Sequence, residues 1–242
     1  MINLSSKILM SIPFFYEALL PPNPGLFTLS EESSKHCSIV LRMKTGTTIA
    51  LTNGLGLKCL GEIVAADKKK TVVQLSAFEQ MPSPNPQNSI AISFVKNAAR
   101  MEWFLEKATE IGISAFYPLI ADRTERTHFK KERWEQILVS AMLQSQQTYK
   151  PVLHDPIQFK QLIQQPLNGQ LLLAHCEHGE KKAIQSIDQS VNTLLLIGPE
   201  GDFTPSEIEM AAKVGATMIG LGNTRLRTET AGIAAAVLLQ HR

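Results

Sequence analysis

"LLLIGPEGDFTPSEIEMAA" occupies residues 194–212. An apolar run ends at Gly198-Pro199-Glu200-Gly201, and Thr204-Pro205-Ser206-Glu207 has the form of a capping box with proline at the first helical position. Thr204 is expected to cap the backbone while Glu207 reaches back to it. The segment therefore reads as strand, sharp loop, helix. Its loop lies at the carboxyl end of a strand, where open α/β sheets bind ligands. It is neither G-x-G-x-x-G nor a P-loop. It has no lysine for a phosphate, and Glu200 would repel one. Either it is an ordinary tight turn, or it serves a ligand with no phosphate or with a positive centre.

The stretch after it repeats the pattern. "IGLGNTRLRTETAGIAAAVLLQ" (219–240) again runs strand, glycine, loop, helix. Arg225 and Arg227 sit just before the helix, where cations work against the macrodipole, so another use for them is expected. Thr228 and Thr230 flank Glu229 and add hydroxyls and a carboxylate. The helix beyond is small and apolar almost all round. It must lie against a core or, as the second choice, a partner subunit.

Upstream, 89–95, 115–121, 169–176 and 192–198 read as buried strands, and 216–222 joins them. Residues 99–113 carry Met101, Phe104, Leu105, Ala108 and Ile111 on one helical face, and 130–147 is a long amphipathic helix. Strands alternating with helices predict an α/β layer with a parallel sheet. "MPSPNPQNS" (81–89) is the clearest linker. Before it, 47–54, 57–66 and 71–79 read as short strands separated by turns, a small barrel or sandwich. Residues 30–43 read as more helical, with Ser30 as a possible N-cap. The expected domains are 1–80, a linker at 81–89, and 90–242.

The 242 residues carry a net charge of only +2, so the chain is no polycation. Residues 1–88 hold eight Lys/Arg against six Asp/Glu, and the remainder sixteen of each, so the surplus sits on the N-terminal part. Lys68, Lys69 and Lys70 form one basic group, and Lys35, Arg42 and Lys44 another. They are either solvated turn residues or an RNA platform. Lys96 and Arg100, near the start of the helix after strand 89–95, leave the same choice open. Cys37, Cys59 and Cys176 are odd in number with no C-x-x-C pair, which predicts no disulfide framework or zinc site and a cytoplasmic location. His175 and His178 flank Cys176-Glu177 at a spacing that is no recognised ligand set, so no metal is expected. No apolar run reaches membrane length. The first 22 residues have one lysine and no A-x-A site, and are expected to be mature protein. No G-x-S-x-G appears, and no Ser/His/Asp set stands out.

The paired loops resemble the motifs of the 16S rRNA uridine N3-methyltransferase family, of the SPOUT class of knotted, S-adenosylmethionine-dependent RNA methyltransferases. "KNAARMEWFLEKATEIGISAFYPLIADRTE" (96–125), "AMLQSQQTYKPVL" (141–153) and "KHCSIVLRMKTGTTIALTNG" (35–54) resemble further blocks of that family. The resemblance spans essentially the whole chain. It implies a SPOUT-type α/β parallel sheet with a C-terminal trefoil knot, plus a smaller N-terminal PUA-like β-barrel that binds RNA. It also implies a homodimer with no metal and no membrane, acting on one uridine of 16S rRNA within the assembled 30S subunit, near the decoding centre.

The cofactor implied is S-adenosyl-L-methionine, a sulfonium nucleoside without phosphates. Its expected contacts are Leu173, Ile197, Gly198, Pro199, Glu200, Gly201, Leu221, Gly222, Asn223, Leu226, Arg227, Thr228, Thr230 and Ala231. Glycines allow close backbone approach to the adenine edge, and Ile197, Leu221 and Leu226 can sandwich its ring. Arg227 is expected to stabilise the uracil imide anion, with Glu229 or Glu200 as base. RNA contacts are expected at Lys35, Arg42, Lys44, Lys68, Lys69, Lys70, Lys96, Arg100 and Arg225. The chain departs from the family pattern at five positions. Ser11 and Phe14 stand where arginines are common, Gln144 where Glu is usual, Tyr149 near a usual Arg, and Asp202 in place of a common Gly. A SPOUT enzyme for another RNA, a non-catalytic RNA-binding knot protein and a small-molecule methyltransferase remain as rival readings.

Overall fold

The computed structural model describes residues 12–125, 130–177 and 179–240. The chain forms two compact units. One runs up to Ser83 and takes in Met142–Lys150; the other comprises Pro84–Ala141 and the chain from Pro151 onward.

The first unit is a five-stranded mixed sheet in the order β1-β3-β4-β5-β2. The expected strands are β3 (Thr48–Thr52), β4 (Leu57–Ala65) and β5 (Val72–Gln80). Two short ones were not anticipated: β1 (Phe14–Tyr16), parallel to β3, and β2 (Gly25–Thr28), antiparallel to β5. Three or four residues among prolines are too few to display a period. Ser30 does cap a short helix, α1 (Glu31–Lys35), its hydroxyl accepting from the Ser33 amide. Ile49, Leu51, Cys59, Ile63, Val73 and Leu75 fill the core. The return segment is tied to this sheet by backbone pairing: the Gly56 amide donates to the Thr148 carbonyl at 2.9 Å, and the Lys150 amide to the Gly54 carbonyl at 2.9 Å.

The second unit is an eight-stranded parallel sheet. Its main path runs β11 (Lys182–Ala183), β13 (Thr217–Gly220), β10 (Gln170–Ala174), β12 (Thr193–Ile197), β6 (Asn88–Ser93), β7 (Ala115–Ile120), β8 (Val152–Leu153); β9 (Ile157–Gln158) also pairs with β7. Strand β6 begins inside the expected linker. The helices are α2 (Ala98–Ile111), α3 (Lys131–Gln144), α4 (Phe159–Leu162), α5 (Pro205–Lys213) and α6 (Thr228–Gln240). Strand β12 is buried at all five residues, as a sheet covered on both faces requires. Leu195 and Ile197 join Phe104 of α2 and Ala235 of α6 in one core, while Leu194 and Leu196 join Phe159 of α4 and Ala211 of α5 in another. From β10 the chain goes to β12 on one side and returns as β13 on the other. That crossing brings three strand ends together.

Small residues let α6 sit close to its neighbours. A Cβ added at Gly232 would lie 2.5 Å from the Phe104 ring and 3.0 Å from Ile92 Cδ1. Both neighbours are buried and cannot swing away. Gly232→Ala is therefore expected to destabilise this unit by about 1–3 kcal/mol. Urea denaturation measures it, and unchanged stability would mean that α6 packs less tightly than described.

Candidate active site

A cavity of about 620 Å³ opens at the carboxyl ends of β10, β12 and β13. Three strand ends and the residues after them wall it: Ala174–Cys176 with Lys181 from β10, 197–200 with Asp202 from β12, and 219–228 from β13. Each loop is fixed by polar contacts that begin with the motif 198–207.

That motif is held from several sides. Thr204 and Glu207 form the predicted capping box. Glu207 is fully buried, and it does more than cap. Its Oε1 accepts from the Asp122 amide at 2.8 Å, while Oε2 takes the Thr204 amide at 2.8 Å and hydroxyl at 3.0 Å. The Arg123 guanidinium donates to the Gly201 carbonyl at 2.6 Å. The Arg225 guanidinium donates to the Glu200 carbonyl at 3.3 Å. The Thr228 hydroxyl, buried at the start of α6, donates to the Gly198 carbonyl at 3.2 Å and joins the two signature loops directly. Asp202 adopts a left-handed φ of 62°. Its carboxylate accepts from the Cys176 amide at 2.7 Å and the Phe203 amide at 2.8 Å, which fastens the third loop.

Most expected cofactor residues line this cavity: Ile197, Gly198, Pro199, Glu200, Leu221, Gly222, Asn223, Leu226, Arg227, Thr228 and Ala231. Gly222 has φ 124°, a conformation closed to most side chains. Gly201 and Thr230 are exposed and outside the lining, although the Gly201 carbonyl helps to anchor the loop. Leu173 is fully buried in the opposite core with Phe159 and Phe203. The alternation of a strand turns Leu173 away and leaves Ala174 at the cavity, and His175, just past the strand end, lines it as well. Asp202, Lys181 and Cys176 also line it without having been expected there. Asp202 was legible only as an unusual residue after the GPEG motif. No sequence signal marked Lys181, because a pair of lysines beyond a strand end has no pattern that singles out one of them.

The two candidate carboxylates differ sharply. Glu200 is exposed, and its Oε1 lies 3.4 Å from the Lys96 amide. Glu229 is buried and is not part of the lining; its Oε1 lies 3.6 Å from the Arg100 guanidinium. Arg100, expected on the RNA side, thus pairs with a carboxylate at the N-terminus of α6, where negative charge is favoured. Lys96 pairs with Glu125 at 2.7 Å. Arg225 and Arg227 are both exposed at the cavity. Lys35, Arg42, Lys44 and Lys68 to Lys70 are exposed on the first unit. The lysine tip is an ordered turn: Asp67 accepts from the Lys69 and Lys70 amides at 2.8 and 2.9 Å, which, with nearby Lys68, hold its carboxyl below the usual range. Phe14 lies in β1 with Lys58 Nζ 5.7 Å from its ring centroid, whereas Ser11 lies outside the described residues.

Of the histidine pair, His178 lies outside the described residues, and His175 lines the cavity. No three His, Cys, Asp or Glu among the described residues are placed to hold a metal ion. Among those residues, no helix is long and apolar enough to cross a membrane.

The chain combines an α/β unit that has a cavity at its strand ends with a small mixed β unit, and family models assign both to one class of RNA-modifying protein. A family model for an RNA methyltransferase domain matches residues 82–240, and one for an RNA methyltransferase PUA domain matches 29–76. The chain belongs to this family of RNA methyltransferases. Ribosomal RNA small subunit methyltransferase E of Bacillus subtilis is 27% identical over 219 residues, covering 85% of this chain and 86% of that protein. A solved structure from Porphyromonas gingivalis is 34% identical with a TM-score of 0.86, covering 95% of this chain and 98% of that one. That of a ribosomal RNA small subunit methyltransferase E from Neisseria gonorrhoeae bound to S-adenosyl methionine is 25% identical with a TM-score of 0.85, covering 95% and 97%.

The Thr228 hydroxyl is the buried tie between the signature loops, and the Arg225 guanidinium is an exposed one. Thr228→Val keeps the shape and removes the donor, and is expected to cost about 1–3 kcal/mol because a buried carbonyl loses its partner. Thr228→Ser should retain most of the stability. Equal denaturation midpoints for wild type and the valine variant would show that the carbonyl finds another donor.

Proposed function

We propose that this protein transfers a methyl group from S-adenosylmethionine to N3 of one uridine in 16S rRNA, acting on the assembled 30S subunit. The observation that carries the reading is the cavity itself. It sits where the two signature loops meet and is lined by both apolar side chains and backbone. Its relative from Neisseria gonorrhoeae binds S-adenosyl methionine, and its relative from Bacillus subtilis bears the name of a small-subunit rRNA methyltransferase.

The residues present suit this cofactor. Ile197, Leu221, Leu226 and Ala231 offer an apolar slot for a flat ring, and Glu200 with Asp202 favours a positive centre nearby. Bound there, S-adenosylmethionine supplies an electrophilic methyl on its sulfonium. The uracil N3–H is only weakly acidic, so the protein must favour its ionised form. Arg227, exposed at the cavity, is assigned to hold the negative charge that spreads to O2 and O4. Of the two expected carboxylates, Glu200 faces the cavity and is assigned to take the N3 proton. Glu229 is assigned to anchor α6 through Arg100. The N3 electron pair then forms the bond to the methyl carbon as the carbon–sulfur bond breaks onto sulfur. No covalent enzyme adduct is needed. The remaining work is alignment of N3, methyl and sulfur.

The first unit is assigned to RNA, with the exposed Lys68–Lys70 tip and the Lys35, Arg42 and Lys44 group as phosphate contacts. Arg225 joins them at the cavity mouth. A homodimer built on the knotted C-terminal region is part of the same proposal: Trp103 of α2 and Val237 of α6 leave apolar surface exposed on two helices that pack together.

Arg227→Ala is expected to reduce turnover at least a hundredfold while S-adenosylmethionine affinity changes little; unimpaired turnover would remove Arg227 from the chemistry. Mass mapping of 16S rRNA from a deletion strain should reveal one lost methyluridine, and retention of every methyluridine would refute the assigned target. Failure of calorimetry to detect S-adenosylmethionine binding would favour a non-catalytic RNA-binding role.

A further inference from the structure

Glu200 is assigned to chemistry, yet its own neighbours do little to fix it. Glu200 and Gly201 are the central pair of a turn that the Asp202 amide closes on the Pro199 carbonyl at 2.9 Å. Gly201 has no side chain to restrict the backbone beside the glutamate. The carboxylate is therefore only as well placed as the two peptides that flank Gly201.

Both peptides are held from outside the turn. The Arg225 guanidinium donates to the Glu200 carbonyl at 3.3 Å, and the Arg123 guanidinium to the Gly201 carbonyl at 2.6 Å. The peptide between Gly201 and Asp202 is thus fixed at its N–H by Pro199 and at its carbonyl by Arg123. The Arg123 stem also lies against Gly201. A Cβ added there would stand 3.3 Å from Arg123 Cδ and 3.5 Å from its Cβ. That contact gives Gly201, which lies outside the cavity lining, a use of its own.

Arg123 belongs to a tight turn after β7 that is itself anchored. The Thr124 amide donates to the Ala121 carbonyl at 2.9 Å, and the Thr124 hydroxyl accepts from the Ala121 amide at 2.9 Å. The Asp122 amide donates to the fully buried Glu207 at 2.8 Å. One turn therefore grips the motif 198–207 in two places, at Glu207 through its backbone and at Gly201 through Arg123. Glu125 adds an indirect hold: it pairs with Lys96 at 2.7 Å, and the Lys96 amide lies 3.4 Å from Glu200 Oε1. None of Asp122, Arg123 and Glu125 lines the cavity.

We propose that Arg123 is a positioning residue for methyl transfer: it fixes the Gly201 peptide and so holds the Glu200 carboxylate where the N3 proton is removed. The inference rests on the reading of Glu200 as the base. A guanidinium suits the task, because it is always charged and its hydrogen bond to a carbonyl is charge-assisted. Since Arg123 stands outside the cavity, its loss acts on turnover and leaves cofactor affinity in place. An exposed arginine that touched an RNA phosphate would act instead on substrate affinity.

The test uses the full chain, with methyl transfer to small ribosomal subunits that lack the methyl group and calorimetric titration with S-adenosylhomocysteine. Arg123→Met keeps an unbranched stem against Gly201 and removes every donor; Arg123→Lys restores a cationic donor. Arg123→Met should lower kcat about tenfold, and Arg123→Lys should recover most of the loss. The KM for the subunit and the affinity for S-adenosylhomocysteine should stay within about twofold of wild type. Glu200→Gln alone should lower kcat about a hundredfold. In that background Arg123→Met should cost no more than about twofold, because the two residues act as one unit. Wild-type kcat in Arg123→Met overturns the proposal. A raised KM for the subunit at unchanged kcat makes Arg123 an RNA contact, and a parallel fall in S-adenosylhomocysteine affinity makes it a general support of the loop; either overturns it. So does an undiminished loss in the Glu200→Gln background. Wild-type turnover in Glu200→Gln alone overturns the assignment of the base itself, whatever Arg123→Met does.

Discussion

One buried hydrogen bond, from the Thr228 hydroxyl to the Gly198 carbonyl, joins loops 30 residues apart in sequence. The cavity walls come from three strands whose order differs from their chain order, so their loops are held together by contacts across the sequence. Parallel strands place their carboxyl ends along one edge, but the loops beyond them must each find partners for their backbone groups. Here they find one another. The Gly198, Glu200 and Gly201 carbonyls take side-chain donors from Thr228, Arg225 and Arg123. The loop is thus rigid before any ligand arrives, which lowers the ordering cost of binding.

The same economy governs the acidic residues. Glu207 is fully buried, yet three donors surround its carboxylate, so its charge is stabilised in place. Glu229, at the start of α6, has the positive helix end and Arg100. Neither carboxylate lines the cavity. Glu200 differs because it is exposed at the cavity, with a long contact to the Lys96 amide and the Lys96 ammonium in its field. Three glutamates within 30 residues therefore divide into two structural anchors and one residue open to solvent. Local sequence identified only the capping role of Glu207.

What the sequence made legible was local or periodic. The capping box, the alternation of strands with helices, and the loops after β12 and β13 depend on neighbours within a few residues, and each stands where it was expected. What it concealed depends on long-range register. Strand β10 belongs to a sheet covered on both faces, so its apolar run carries no alternation to say which residue faces the cavity. Leu173 packs in the other core, and Ala174 and His175 stand at the cavity instead. The Arg100–Glu229 pair and the seating of Thr148 against Gly56 join residues roughly 90 to 130 apart. Nothing in either segment alone announces the other. Short β1 and β2 escape for the opposite reason: they have too few residues to show any period.

The puzzle of the motif 198–203 turns on where its amides point. A phosphate-binding loop presents free N–H groups to an anion. In this loop the Asp202 amide is taken by the Pro199 carbonyl, and the Asp202 carboxylate takes the amides of Phe203 and Cys176. The protein has supplied its own anion at the place where a phosphate would be cradled. A dinucleotide would have to displace that carboxylate and also tolerate Glu200. A nucleoside with a cationic centre meets neither obstacle. It can lay its ring on Ile197, Leu221 and Leu226 while the acidic wall attracts its charge. Selectivity between these ligand classes thus arises less from what the loop offers than from the donors it has already committed.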